Sequence, residues 1–325
     1  MKRVFSGIQP SGEIHIGNYL GAIKNWVNML DKYECIFSIV DYHAMTVAYE
    51  PADLQRRVFD AAVVNIACGL DPAKCTLFVQ SHVNEHAELA WILNCVTPLG
   101  ELERMTQFKD KAQEFRHNIN LGLLAYPVLQ AADILLYKAE FVPIGEDQVQ
   151  HIELCREITR RFATRFGEFF AEPKEILTPT AKILGVDGKK KMSKSLNNTI
   201  GILEDPKVIW EKLRTSVTDE KRIRKTDPGE PDVCNIYTIH KGFSTKEQLD
   251  YVAVECRRAG IGCIDCKKIL FENIEKETAP MREKAEYLRN NPDEVYAILS
   301  AGAKKCKEIA KQTMAEVKKI VGLTK

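Results

Sequence analysis

Arg3-Val4-Phe5-Ser6-Gly7-Ile8 reads as a strand, Gln9-Pro10-Ser11-Gly12 as a turn, and His15-Ile16-Gly17-Asn18 as the start of a helix. The helical reading rests on Ile16, Tyr19, Leu20, Ile23, Trp26, Val27 and Leu30, which recur at helical spacing. The continuous apolar run Cys35-Ile36-Phe37-Ser38-Ile39-Val40 follows, as expected of a strand buried on both faces. A helical pattern over 53–69 leads to a third buried strand, Thr76-Leu77-Phe78-Val79-Gln80. This alternation predicts an α/β fold with a Rossmann-like parallel sheet covered by helices. From about 85 to 170 the pattern is mostly helical, and 177–184 is expected to return toward the sheet. After the turn-rich break Asp227-Pro228-Gly229-Glu230-Pro231, residues 245–321 alternate helical patterns with short polar joints. The chain therefore divides into a sheet-centred catalytic part with a helical insertion, 1–199, and an all-helical part, 200–325.

Composition narrows the function classes. The 325 residues are 45% hydrophobic and 28% charged, which is ordinary for a globular protein. A formal charge of +1 means that any polyanion must be met by local patches. Neither a membrane nor DNA is expected as a partner. The opening residues have no signal-type apolar stretch and no run is long enough to span a bilayer, so a cytoplasmic location is expected. Ten cysteines in such a chain are not expected to form a disulfide framework.

Two segments carry chemistry. In a parallel α/β sheet ligands bind at the carboxyl ends of strands, and a helix N-terminus there offers unpaired N–H groups to phosphate. Gly17 permits close approach of a base or ribose, and His15 and Asn18 can hydrogen-bond phosphate or sugar oxygens. The turn is neither a G-x-G-x-x-G fingerprint nor a Walker A loop. Far downstream, Gly185-Val186-Asp187-Gly188 opens a loop in which Lys189, Lys190, Lys191 and Lys194 put four ammonium groups into six residues. Taken alone such a run is usually a solvated surface. Like charges at this density nevertheless favour an anion between them, and mobile lysines can hold charge that develops as a polyphosphate is cleaved.

Taken together, His15-Ile16-Gly17-Asn18 and Lys191-Met192-Ser193-Lys194-Ser195 resemble the two signatures of class I aminoacyl-tRNA synthetases, with Asn18 in the fourth position of the first as in the tryptophanyl branch. FSGIQPSG (5–12), GNYLGA (17–22), GELERMTQFKDK (100–111), AADILLY (131–137) and GEDQVQHIE (145–153) are similar to strings of that branch. The resemblance implies that Gln9, Pro10, Ser11, His15, Gly17 and Asn18 line an ATP site. It puts Gly145, Glu146 and Asp147 on the ribose side and Ile183 on adenine. Met192, Ser193 and Ser195 with Lys191 and Lys194 would cover the phosphates, and Lys191, Lys194 and Lys111 would stabilise the leaving pyrophosphate. It further implies ATP with Mg2+, L-tryptophan and tRNA(Trp) as substrates, a homodimer, and an anticodon-binding helical part.

Tyr126, Gln130 and Asp133 are spaced i, i+4, i+7 and share a helix face. Asp133 stands in an apolar run, where a buried carboxylate needs donors. A satisfied structural Asp, paired with an arginine or a cap, is the plain alternative. The resemblance assigns Asp133 to the indole N–H, with Phe5, His43, Tyr126, Gln130 and Gln148 around the amino acid. Tyrosine's hydroxyl could also donate to Asp133, so a tyrosine-specific relative stays open, as does a non-catalytic RNA-binding paralogue. The GEDQ string favours tryptophan.

Cys234, Cys256, Cys263 and Cys266 have the spacing C-x21-C-x6-C-x2-C. Four thiolates suit tetrahedral Zn2+ or an iron–sulfur cluster. They can equally be ordinary cysteines of a helical domain. Some tryptophanyl enzymes carry a similar set that holds a [4Fe–4S] cluster near the anticodon-binding region, and the resemblance implies the same here.

Overall fold

The structure, a computed structural model, describes residues 1–325 apart from 11, 13, 115–118, 178–182 and 194–195. Five parallel strands form the sheet: β1 (Arg3–Ile8), β2 (Glu34–Ile39), β3 (Cys75–Val79), β4 (Phe141–Ile144) and β5 (Lys174–Leu177), in the order β3-β2-β1-β4-β5. All four neighbouring pairs are parallel, with Val4 opposite Cys35 and Cys35 opposite Cys75. The chain runs outward from β1 to β3, then crosses back to β4. The switch point between β1 and β4 is where such a sheet opens a crevice at its carboxyl end.

The helix after β1 is not uniform. Short α1 (Ile16–Asn18) passes through a π-helical turn, Tyr19–Ile23, into α2 (Lys24–Val27). Helices α3 (Asp41–Ala44) and α4 (Pro51–Ala67) join β2 to β3. Pro51 starts α4 where its missing N–H has no intrahelical partner to lose. Helices α5 (Glu85–Asn94), α6 (Leu99–Glu103), α7 (Thr106–Glu114) and α8 (Leu121–Leu136) precede β4, and α9 (Val149–Phe166) joins β4 to β5. The remainder is helical: α10 (Pro206–Thr215), α11 (Asn235–Phe243), α12 (Lys246–Arg257), α13 (Cys263–Asn290) and α14 (Pro292–Ile320). Among the described residues no helix is long and apolar enough to cross a membrane.

Alternate residues of each strand feed two cores, one per sheet face. Val4, Phe37 and Leu77 pack with Leu270, Ile274 and Leu288 of α13. Phe5, Ile36 and Phe78 pack with Ala303, Cys306 and Met314 of α14. Helix α13 thus joins the first core, whereas α14 runs along edge strand β3 and feeds both, with Val295 and Leu299 in the first and Ala303 onward in the second. Two elements differ from the sequence expectation. Strand β4 lies inside the stretch read as helical, and it contains Pro143, a residue that ordinarily argues against an inner strand. The return to the sheet is made by 174–177 rather than 177–184, whose residues 178–182 lie outside the described set.

Helix α14 approaches β3 so closely that a Cβ on Gly302 would lie 2.0 Å from the Leu77 carbonyl oxygen. Gly302→Leu is expected to lower the thermal midpoint by several degrees, because overpacking of a close contact costs about 1–3 kcal/mol. Thermal unfolding checks this, and an unchanged midpoint would mean that the helix does not rest on the strand.

Candidate active site

At the switch point lies a cleft of about 400 Å³. The end of β1 supplies Phe5, Ser6, Gly7, Ile8 and Gln9, and the end of β4 supplies Val142, Pro143, Ile144 and Gly145. Asn18, Gly21 and Ala22 enter from the helix after β1, Gln107 and Lys111 from α7, Tyr126, Gln130 and Asp133 from α8, and Gln148 from the turn before α9. The π-helical turn is therefore a wall of the cleft, a common location for such turns. Of the residues singled out in the sequence, His43, Phe5, Tyr126, Gln130, Asp133, Gln148, Lys111, Gln9, Asn18 and Gly145 line this cleft.

Asp133 is 1% exposed and accepts from three side chains. His43 Nε2 donates to its Oδ2 at 2.8 Å. Gln80 Nε2 and His86 Nδ1 donate to its Oδ1 at 2.7 and 2.6 Å. A carboxylate only accepts, so both ring nitrogens carry hydrogen. The other ring nitrogen of His86, Nε2, lies 2.7 Å from the Tyr137 hydroxyl. Burial alone would push the Asp133 carboxyl up; the His43 hydrogen bond and the His86 ring outweigh it and hold the carboxyl down to about 2. Oδ2 has one protein donor and a further lone pair to offer toward the cleft. Gln80 and His86 went unread in the sequence. Gln80 was findable, since it follows the last residue of β3, at a carboxyl strand end.

The opposite wall is built on Tyr126. Its hydroxyl lies 2.9 Å from His151 Nε2 and 3.4 Å from Gln107 Oε1, and Lys111 Nζ sits 4.5 Å above its ring. Gln107 Nε2 donates to the Asp147 carbonyl at 3.0 Å, and Gln148 Nε2 donates to the Asp147 carboxylate at 3.2 Å. Phe5 stacks on Tyr137, with centroids 5.5 Å apart.

The segment around Gly17 and the lysine loop lie side by side. Gly17 Cα lies so near the lysine loop that an added Cβ would be 3.7 Å from Met192 Cβ, and 3.0 Å from the His15 ring. Ile16 N donates to Ile200 O at 2.9 Å and Ile202 N to Ile14 O at 3.0 Å, so the segment following the lysine loop pairs with the start of the first helix. His15 and Asn18 form a reciprocal cap: Asn18 N donates to His15 Nδ1 and His15 N to Asn18 Oδ1. Asn18 also lines the cleft, whereas His15, which is buried, and Gly17 do not. Within the loop Asn198 accepts from Ser193 N at 2.8 Å and donates to Asp187 at 3.1 Å. Backbone N–H groups, Lys189 foremost, and Asn198 hold the Asp187 carboxyl below the usual carboxylate range. Lys191 is exposed, whereas Met192 and Ile183 are buried in the core with Met192 N donating to Ile183 O. Pro10 is buried, and neither it nor Ile183 lines the cleft. Glu146 and Asp147 are exposed at its rim, where Asp147 tucks under Gly145. Ser11, Lys194 and Ser195 lie outside the described residues.

The four cysteines of the helical part act on one another electrostatically. Burial pushes the Cys266 thiol up to about 12, and Cys234, Cys256 and Cys263 push it the same way. Burial raises Cys234 and Cys256 most, with backbone hydrogen bonds opposing it at Cys234 and Arg222 opposing it at Cys256. Arg222 Nη1 is 3.6 Å from Cys256 Sγ, and His240 Nε2 is 3.4 Å from Cys266 Sγ. Among the described residues, no group of three or more His, Cys, Asp or Glu side chains has the arrangement that holds a metal ion.

Comparison with known proteins agrees with this architecture. Residues 1–279 match the family model described as tRNA synthetases class I (W and Y). The chain is 54% identical over 330 aligned residues to the tryptophan–tRNA ligase of Deinococcus radiodurans, with all of both chains covered. It is 45% identical to that of Caldanaerobacter subterraneus, with 99% of both covered. Among solved structures, tryptophanyl-tRNA synthetase from Campylobacter jejuni complexed with ADP and tryptophan superposes with a TM-score of 0.87 at 37% identity, covering 98% of this chain and 99% of that one.

The Asp133 environment has a pH signature. Its folded carboxyl titrates near 2, below the ordinary value of about 3.9, so its ionisation stabilises the fold above about pH 4 and that stabilisation is lost as pH falls toward 2. Urea unfolding of the wild type and Asp133→Asn is expected to differ most near pH 7, with the gap closing below pH 4. A gap independent of pH would contradict the ionised assignment.

Proposed function

The chain belongs to the class I tRNA synthetase family of the tryptophan and tyrosine enzymes, and from that premise we propose how its cleft works. The activity is ligation of tryptophan to tRNA, at the expense of ATP. The observation that carries this is the coincidence of 54% identity to a tryptophan–tRNA ligase across the whole chain with a cleft holding an ionised, buried acceptor.

In this reading the indole N–H donates to Asp133 Oδ2, while His43, Gln80 and His86 keep the carboxylate charged and fixed. Phe5, Tyr126, Gln130 and Gln148 surround the amino acid. The tryptophan carboxylate attacks the α-phosphorus of MgATP; the new O–P bond forms as the bond to the bridging oxygen breaks, and pyrophosphate leaves. A ribose hydroxyl at the tRNA 3′ end then attacks the carbonyl carbon of tryptophanyl-AMP, and AMP departs. Neither step requires a protein nucleophile, so the chain's contribution is positioning and electrostatic stabilisation. Gln9, Gly17 and Asn18 would meet the nucleotide from the first helix start, with Gly145, Glu146 and Asp147 toward the ribose. Lys111, Lys191 and Lys194 would hold the charge on the departing pyrophosphate. Residues 200–325 would bind the anticodon, in a homodimer located in the cytoplasm.

Cys234, Cys256, Cys263 and Cys266 are read as ligands of a [4Fe–4S] cluster. A single Zn2+ with bonds of about 2.3 Å would need sulfurs roughly 3.8 Å apart. The reading rests on the resemblance of the cysteine set, since among the described residues the four thiols are not arranged as a metal-holding group. When bound it would brace the helical part, away from the cleft.

Two measurements test these readings. ATP–pyrophosphate exchange, run with each amino acid in turn, is expected to require tryptophan. Phenylalanine should be rejected by about 10⁴-fold or more, because the analogue leaves Asp133 without its partner. Exchange driven by tyrosine would instead favour the tyrosine-specific relative. Protein purified without oxygen is expected to be brown and to bleach in air, whereas colourless protein containing zinc would overturn the cluster reading.

A further inference from the structure

A chain of hydrogen-bonding groups runs behind Tyr126. Gln107 Nε2 is 3.0 Å from the Asp147 carbonyl, which can only accept, so the amide nitrogen faces Asp147 and Oε1 faces Tyr126. Gln107 Oε1 is 3.4 Å from the Tyr126 hydroxyl, a long contact, whereas His151 Nε2 is 2.9 Å from it and makes the stronger hydrogen bond. His151 Nδ1 lies buried with no hydrogen-bond partner among the described residues, in a side chain 2% exposed, so the ring is held through Nε2 alone.

We propose that His151 is a positioning residue, which orients Tyr126 and through it Gln107 and Asp147, so that the amino-acid wall and the nucleotide loop move as one hydrogen-bonded chain. The inference rests on the reading of the cleft as the site of tryptophan activation. His151 begins at the buried end, Tyr126 and Gln107 line the cleft, and Asp147 sits at its rim beside Gly145. The chain works only with a neutral ring, since a second N–H at Nδ1 would have no acceptor. The surroundings keep it so: burial holds His151 down to about 4, the Lys111 ammonium and His43 push the same way, and Asp147 opposes them. The consequence is linkage, because an amino acid that seats Tyr126 also steadies the turn at Asp147, and nucleotide binding returns the same factor.

The test is pyrophosphate exchange and tryptophan binding, with and without a non-hydrolysable ATP analogue, in wild type, His151→Gln, His151→Leu, Tyr126→Phe and the double variant His151→Leu/Tyr126→Phe. Glutamine can donate from about the position of Nε2, whereas leucine cannot. The leucine and phenylalanine variants are expected to lose about tenfold in kcat/KM, as for one oriented hydrogen bond, together with most of the gain in tryptophan affinity conferred by nucleotide. The glutamine variant should stay within about threefold of wild type, and the double variant should lose little beyond either single change. A purely structural role would lower the unfolding temperature in both His151 variants and leave the nucleotide-conferred gain intact. Equal behaviour of the glutamine and leucine variants would overturn the proposal. If the leucine variant fails to fold, a Tyr126→Phe enzyme with wild-type linkage would overturn it as well. Wild type that lacks tryptophan-dependent exchange would sink the functional reading and this inference together; active wild type with indifferent variants would sink this inference alone.

Discussion

A charged carboxylate with almost no exposure, Asp133, is the constraint around which the cleft is organised. Leaving water costs such a group several kcal/mol unless donors meet it, and removing a donor strands the charge. Its donors come from three places in the chain: His43 after β2, Gln80 at the end of β3, and His86 on α5. Only a parallel order that lines up strand ends brings them to one point on α8. A second layer extends the support. The Tyr137 hydroxyl lies within hydrogen-bond distance of His86 Nε2 and also bonds with the Cys306 thiol of α14. The packing of the last helix on the sheet is thereby linked to the orientation of the acceptor in the cleft.

The union of the first helix start with the lysine loop depends on a different device, backbone pairing between segments about 185 residues apart in sequence. Ile16 with Ile200 and Ile202 with Ile14 bind the residues after the lysine loop to the first helix start, and Gly17 lets Met192 lie against it. Asn198 spans the loop, holding Ser193 and Asp187. The lysine-dense loop is thus anchored at its base and exposed at Lys191, as the proposed contact with phosphates requires.

Much of this was legible in the residue order. Continuous apolar runs marked β2 and β3, and the i, i+4, i+7 spacing of Tyr126, Gln130 and Asp133 set them on one face that does line the cleft. Strand β4 was not legible: it is four residues long, contains Pro143, and is held in place by β1 and β5 on either side. That is tertiary pairing overriding local preference. The π-helical turn was hidden because its apolar spacing is compatible with a regular helix. His86 and His151 were missed for a related reason, since a lone histidine in an apolar helix carries no signal until its partners are known. His15 and Asn18 showed the opposite: read as ligand contacts, they also cap their own helix.

The central claim is that the first helix start, the lysine loop and Asp133 serve one reaction centre. Crystallography of the chain with tryptophan and a non-hydrolysable ATP analogue tests it most directly. The account predicts the indole nitrogen within hydrogen-bond distance of Asp133 Oδ2 and the triphosphate between Gly17 and Lys191. An indole turned away from Asp133, or a triphosphate bound outside the space between those segments, would contradict it.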